Sequence, residues 1–136
     1  RIKIWKSAIS FIIQRPLFGW GASSFSALYM LHNKDFLFLH THNLLLEVSH
    51  NYGIVIAIIL FASIFHLMRK TNKKLFFSKM SSTKVLKSPD IDKFWWTSSF
   101  IILFMHLSDI TYYDGRISIL FWLFLSGLVM NIKDST

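Results

Sequence analysis

The feature that most restricts what this chain can fold into is the run Leu44–Met68, 25 residues in which Glu47 is the only charged side chain. As a helix it would extend about 37 Å at about 1.5 Å per residue, enough to cross a hydrocarbon core of about 30 Å. The sequence therefore reads first as a membrane protein. Its composition agrees, with 53% hydrophobic and 17% aromatic residues against 16% charged, and a mean hydropathy of +0.45. Fourteen Phe and 5 Trp against 5 Gly and 2 Pro exclude a disordered or collagen-like segment. The absence of Cys excludes a disulfide scaffold, thiolate metal sites and a Cys nucleophile. A net charge of +8, distributed between apolar stretches, points to anionic lipid headgroups and phosphate-bearing lipids as partners and not to nucleic acid.

Before that run, Lys3, Lys6, Ser7, Ser10 and Gln14 recur at helical spacing opposite Ile2, Trp5, Ala8, Ile9, Ile12 and Ile13. This pattern predicts an amphipathic helix lying in the membrane interface. It should stop at Arg15-Pro16, because the residue before proline is pushed out of the helical region, and Phe18-Gly19-Trp20-Gly21 supplies a turn. Ala22–His40 reads as a short helix and a loop. After Met68 comes a polar stretch, 69–93, with eight Lys/Arg against Asp90 and Asp92. A second span runs from Phe94 toward Tyr112 or Tyr113 and opens with Trp95-Trp96; a third covers Ile117–Asn131.

The expected architecture is all-α and integral to the membrane: an interfacial amphipathic helix plus about three transmembrane helices, at about 44–68, 94–113 and 117–131. Residues 1–43 are expected outside the cytoplasm, and 69–93 as a basic cytoplasmic loop, since that loop carries a net +6 and the turn 108–116 a net −1. The sequence opens on Arg1 and not on Met, which reads as a fragment of a larger polytopic bundle.

His40-Thr41-His42-Asn43 stands where the outer loop enters the first apolar run. Asn43, Glu47, His50 and Asn51 follow i, i+4, i+7, i+8 spacing and share one helical face, which should look into protein or water and not into lipid. An imidazole beside a buried carboxylate suits general-base chemistry, because its pKa lies near working pH and a second group fixes its tautomer. Metal ligation competes with that reading. On a helix, however, His40 and His42 would diverge, and no H-E-x-x-H spacing exists, so no metal is expected. Arg1, Lys3, Lys6 and Arg15 either bind a pyrophosphate or snorkel to lipid phosphates. His32, His66 and His106 read as ordinary hydrogen-bonding residues near helix ends, and Arg69-Lys70-Thr71-Asn72-Lys73-Lys74 as a topology-setting flank.

Four blocks in order carry a resemblance. They are Arg1-x-x-x-Trp5; Pro16-Leu17-Phe18-Gly19-Trp20-Gly21; His42-Asn43 separated by nine residues from Gly53; and Asp109-x-x-x-x-Asp114-Gly115-Arg116-x-x-x-x-x-Trp122. Together they resemble the carboxy-terminal part of the O-antigen ligase and polymerase superfamily, especially cyanobacterial versions, some of which carry a bicarbonate-transporter label. The resemblance implies a membrane glycosyl transferase of the bacterial inner membrane, with its site on the periplasmic face. The donor would be an undecaprenyl-pyrophosphate-linked glycan and the acceptor a hydroxyl on lipid A core or on another glycan; no cofactor is implied. His42 matches the histidine that activates the acceptor, and Arg1 an arginine that holds the donor pyrophosphate. Asn43, Glu47 and Arg116 are expected to join Arg1 in binding substrate. The sequence departs from the family pattern at Asn51, where many members have Glu, and at Ile56, where some ligases have Thr.

Three alternatives differ from an O-antigen ligase: a polymerase of the same superfamily, an inorganic-carbon or solute transporter, and a helical subunit without chemistry. A transporter should carry ionisable residues to the bilayer midplane, whereas Gly53–Phe65 has nothing more polar than Ser63. The charge pattern makes a topological prediction: a reporter fused after Lys74 faces the cytoplasm, and one placed between Tyr112 and Gly115 faces outside. Both reporters on one side would overturn it.

Overall fold

The computed structural model describes residues 1–34, 38–77, 89–109 and 113–133. Among them are six helices and no strand: α1 (Ile2–Gln14), α2 (Ser24–Asn33), α3 (Leu44–Tyr52), α4 (Ile54–Phe77), α5 (Pro89–Ser108) and α6 (Gly115–Lys133). The all-α expectation therefore holds. The helices divide between two compact units, one made of Arg1–Phe61 with the segment beginning at Met105, the other of Ala62–Phe104 with the residues from Tyr113 onward.

In the first unit α1, α2 and α3 pack on one another. The buried stripe of α1 is Ile4, Ala8 and Phe11, at i, i+4, i+7, and it closes a core with Phe25 and Tyr29 of α2. This face is rotated from the expected one. Ser7, assigned to the polar side, is buried and accepts a hydrogen bond from Asn33 Nδ2 at 3.2 Å, while Ile2, Ile9 and Ile13 point outward.

The single helix expected over Leu44–Met68 is two helices, and the reason lies in a different part of the sequence. Gly53 has φ 91° and ψ 162°, which ends α3, and α4 starts afresh at Ile54. The segment Pro16–Gly21 runs across the break as a strap. Trp20 N–H donates to the His50 carbonyl at 2.8 Å, Gly21 N–H to that of Asn51 at 3.0 Å, and Ile54 N–H to that of Pro16 at 2.7 Å. Carbonyls left over at the end of α3 and an amide left over at the start of α4 thus find partners without water. Close approach of two backbones requires both glycines: a Cβ on Gly53 would overlap the Leu17 carbonyl, and one on Gly19 (φ 68°) would overlap the His50 carbonyl. Trp20 fixes the strap to α1 by donating from Nε1 to the Phe11 carbonyl at 2.7 Å, with the Arg15 guanidinium 4.2 Å over its ring.

Ile54–Asn72, 19 residues long, is the one stretch among the described residues long and apolar enough to cross a membrane. The polar loop expected over 69–93 is helical at both ends, where α4 runs to Phe77 and α5 begins at Pro89; residues 78–88 lie outside the described residues. The span expected over 94–113 corresponds to α5, which starts five residues earlier and ends at Ser108, and positions 110–112 of its expected end also lie outside the described residues. In the second unit the Trp95 ring rests on Gly127 of α6, 5.9 Å from the Phe124 ring centroid.

Replacing Gly53 with Ala is expected to lower stability by about 2 kcal/mol or more, because the positive φ and the Leu17 carbonyl both oppose a Cβ. Gly115→Ala, where a Cβ meets nothing, should stay within about 0.5 kcal/mol. Thermal unfolding in detergent checks the pair, and equal melting temperatures for the two variants would contradict the strap.

Candidate functional site

The site grows from the start of α3. Asn43 caps that helix: with extended backbone (φ −158°, ψ 118°), its Oδ1 accepts from Leu46 N–H at 3.0 Å. Its Nδ2 donates to the Leu107 carbonyl at 2.7 Å, joining the start of α3 to the end of α5. A helix that begins at Leu44 leaves residues 40–42 in a loop, and every polar backbone group of Thr41 is held. Its N–H donates to Glu47 Oε2 at 3.0 Å, its carbonyl accepts from Trp5 Nε1 at 2.9 Å, and its hydroxyl donates to the Asn43 carbonyl at 3.0 Å. Thr41 is fully buried.

Glu47 serves two elements at once. Besides Thr41 N–H, its carboxyl accepts from Asn51 Nδ2 at 3.2 Å, and its side chain is 3% exposed. A carboxyl so enclosed orients the loop and has no open face for a substrate. His50, also on this inward face, is wholly buried, with Nε2 3.1 Å from Ser24 Oγ. The polar face foreseen on Asn43, Glu47, His50 and Asn51 does turn into protein.

With Thr41 fixed, its neighbours project to one side. His42 adopts a left-handed backbone (φ 54°), uncommon for a residue with a Cβ and a small store of strain at the site. Its Nδ1 lies 2.9 Å from Asp109 Oδ1. The other carboxylate oxygen of Asp109 is 3.4 Å from Arg1 Nη2, and Arg1 Nη1 donates to the Ser108 carbonyl at 2.8 Å. Arg1, Asp109 and His42 therefore form a continuous line of charged and polar groups, with Arg1 and Asp109 about half exposed. An ionised Asp109 accepts from Nδ1–H and fixes the tautomer whose Nε2 carries the lone pair.

The His40 ring sits beside that of His42, centroids 4.5 Å apart. Burial holds the His40 pKa below its ordinary value and the His42 imidazole adds to this, against smaller opposing effects of Glu47 and Asp109. His40 and His42 precede α3, so their side chains do not diverge as they would on a helix. Ligating atoms of His40, His42 and Asp109 all lie within 4.8 Å of one another, a group with the donor types of a transition-metal site. Arg116 belongs to the second unit and is engaged locally, its Nη2 3.1 Å from Asp114 Oδ2; this pairing holds the Asp114 carboxyl below the usual carboxylate range.

Glu47, expected to bind substrate, is the carboxylate the sequence places near the histidines of 40–43, whereas the partner of His42 is Asp109, 67 positions away. The only signal was that Asp109 opens the last of the four blocks and falls in the turn expected on the same side as His42.

The sequence pattern of the O-antigen ligase family matches residues 1–80, more than half of the 136-residue chain, and the chain belongs to that family of integral membrane proteins. The match spans Arg1, the strap, the whole loop 40–43, α3 and α4. No curated protein and no solved structure matches it.

Glu47→Gln tests the anchoring of the loop. An amide accepts at only one end, so either Thr41 N–H or Asn51 Nδ2 would face a second donor, at a cost of about 1–3 kcal/mol. A lowered melting temperature is expected, and an unchanged one would remove Glu47 from this role.

Proposed function

We propose that this chain carries the acceptor-activating part of a ligase-like membrane glycosyl transferase. The donor is a glycan on undecaprenyl pyrophosphate, and the acceptor is a hydroxyl of lipid A core or of another glycan, met on the periplasmic face of the bacterial inner membrane. The observation that carries this reading is the 2.9 Å contact between His42 Nδ1 and Asp109 in a member of the O-antigen ligase family. With Nδ1 engaged, Nε2 takes the acceptor hydroxyl proton as that oxygen forms its bond to the anomeric carbon. The bond from the anomeric carbon to the pyrophosphate oxygen breaks in the same step, and the electron pair leaves with undecaprenyl pyrophosphate. Asp109 stabilises the imidazolium until it returns its proton to water.

Arg1 is the residue for the leaving group. Its guanidinium remains half exposed while Asp109 and the Ser108 carbonyl hold its orientation, so it offers a directed positive charge where the pyrophosphate gains negative charge. Asn43 supports the site through the cap that begins α3 and through its bond to Leu107.

In the full membrane protein, His42→Ala is expected to slow consumption of lipid-linked glycan by about a hundred- to ten-thousand-fold, with membrane insertion and protein level unchanged. Arg1→Lys should also lose most activity despite keeping the charge, since an ammonium cannot copy a two-pronged grip on phosphate oxygens. Wild-type activity in His42→Ala would remove the mechanism. The same result in Arg1→Lys would reduce Arg1 to an anchor for Asp109.

A further inference from the structure

The second unit has a site that neither the general-base chemistry nor the strap uses. Ala62, Phe65, His66, Arg69 and Lys70 recur at i, i+3, i+4, i+7 and i+8, share one face of α4, and line an open groove of about 440 Å³. Polarity changes along the groove: Ala62 and Phe65 make an apolar wall, and Arg69 and Lys70 follow one turn later. The Arg69 guanidinium lies over the Phe65 ring, 5.7 Å from its centroid, so the cation is drawn back along the apolar surface.

Phe65 and Arg69 also wall a second cavity of about 190 Å³, where α4 meets Trp96, Phe100 and Leu103 of α5. Trp96 ties the two helices there by donating from Nε1 to the Met68 carbonyl at 3.0 Å. The stretch Ile54–Asn72, long and apolar enough to cross a membrane, ends in this same turn, and Lys73 and Lys74 follow it in sequence. An indole with a polar tip, two apolar recesses and a cationic turn at the end of a span together match the boundary between acyl chains and headgroups.

We propose that this face of α4 binds one anionic phospholipid, its phosphate on Arg69 and Lys70 and an acyl chain against Ala62 and Phe65. Charge complementarity selects an anionic headgroup over a zwitterionic one. Arg69 and Lys70 are both exposed, so a free phosphate would gain only a screened attraction, whereas a lipid adds apolar contact. The basic run therefore acts as a lipid seat as well as a topology signal.

Native mass spectrometry of the full protein released from micelles containing phosphatidylglycerol or phosphatidylcholine tests this. Wild type is expected to retain phosphatidylglycerol preferentially. Arg69→Gln and Lys70→Gln should each cost about fivefold in retention, and both residues are exposed on a helix that glutamine suits. Ala62→Trp, which fills the apolar part and leaves the charges, should reduce retention as well. Equal retention of the two lipids by wild type, or a preference that survives the double charge removal, would overturn the site. Displacement of the lipid by millimolar inorganic phosphate, or full retention by Ala62→Trp, would overturn the seating of a chain against α4.

Discussion

The first unit depends on a backbone junction, the Pro16–Gly21 strap laid across the break between α3 and α4. An apolar run long enough to cross a membrane would by propensity continue as one helix. The strap interrupts it by supplying donors to the His50 and Asn51 carbonyls and an acceptor to Ile54 N–H. Freed from α4, the short α3 turns its polar face inward. Glu47 then reaches back to Thr41 and across to Asn51, and His50 meets Ser24. Thr41, Glu47, His50 and Asn51 are buried, and these contacts offset part of the cost of placing polar groups there.

The loop 40–43 inherits its geometry from this arrangement. Thr41 is held from both sides, by Glu47 at its N–H and by Trp5 at its carbonyl, so His42 has little freedom other than to project toward the end of α5. Asn43 secures the same end of α5 through the Leu107 carbonyl, and Asp109 arrives beside His42 two residues later. Residues of the Trp5, Gly19, His42-Asn43 and Gly53 blocks are thus mechanically linked within one unit. Their order in the sequence makes sense as the parts of one device: a loop, its clamp and the strap behind it.

Much of this was legible beforehand, and the gaps have physical causes. Apolar periodicity announced α1, the long apolar runs announced the later helices, and the i, i+4, i+7, i+8 spacing identified the inward face of α3, because all depend on local sequence. The break at Gly53 was hidden, since a lone glycine inside a long apolar pattern is compatible with a continuous helix and becomes a terminus only when a second backbone packs on it. Asn43 before Leu44 was a visible cap signal; following it would have put His40 and His42 in a loop and withdrawn the argument that their rings diverge. The buried stripe of α1 was misjudged because the apolar arc of this helix is broader than the stripe it buries, and only packing against Phe25 and Tyr29 decides which part of the arc is covered. The pairing of His42 with Asp109 joins residues with no periodic relation, which no single-sequence pattern encodes.

The central claim is that Asp109 acts through His42, and a double-mutant cycle on glycan consumption in the full protein measures it directly. Asp109→Asn alone removes the carboxylate that fixes the imidazole and should slow transfer by about tenfold or more. Introduced into His42→Ala, the same change should cost distinctly less, only what the hold of Asp109 on Arg1 contributes, because the imidazole it orients is gone. Equal losses in the two backgrounds would show Asp109 and His42 to be independent and would contradict the account.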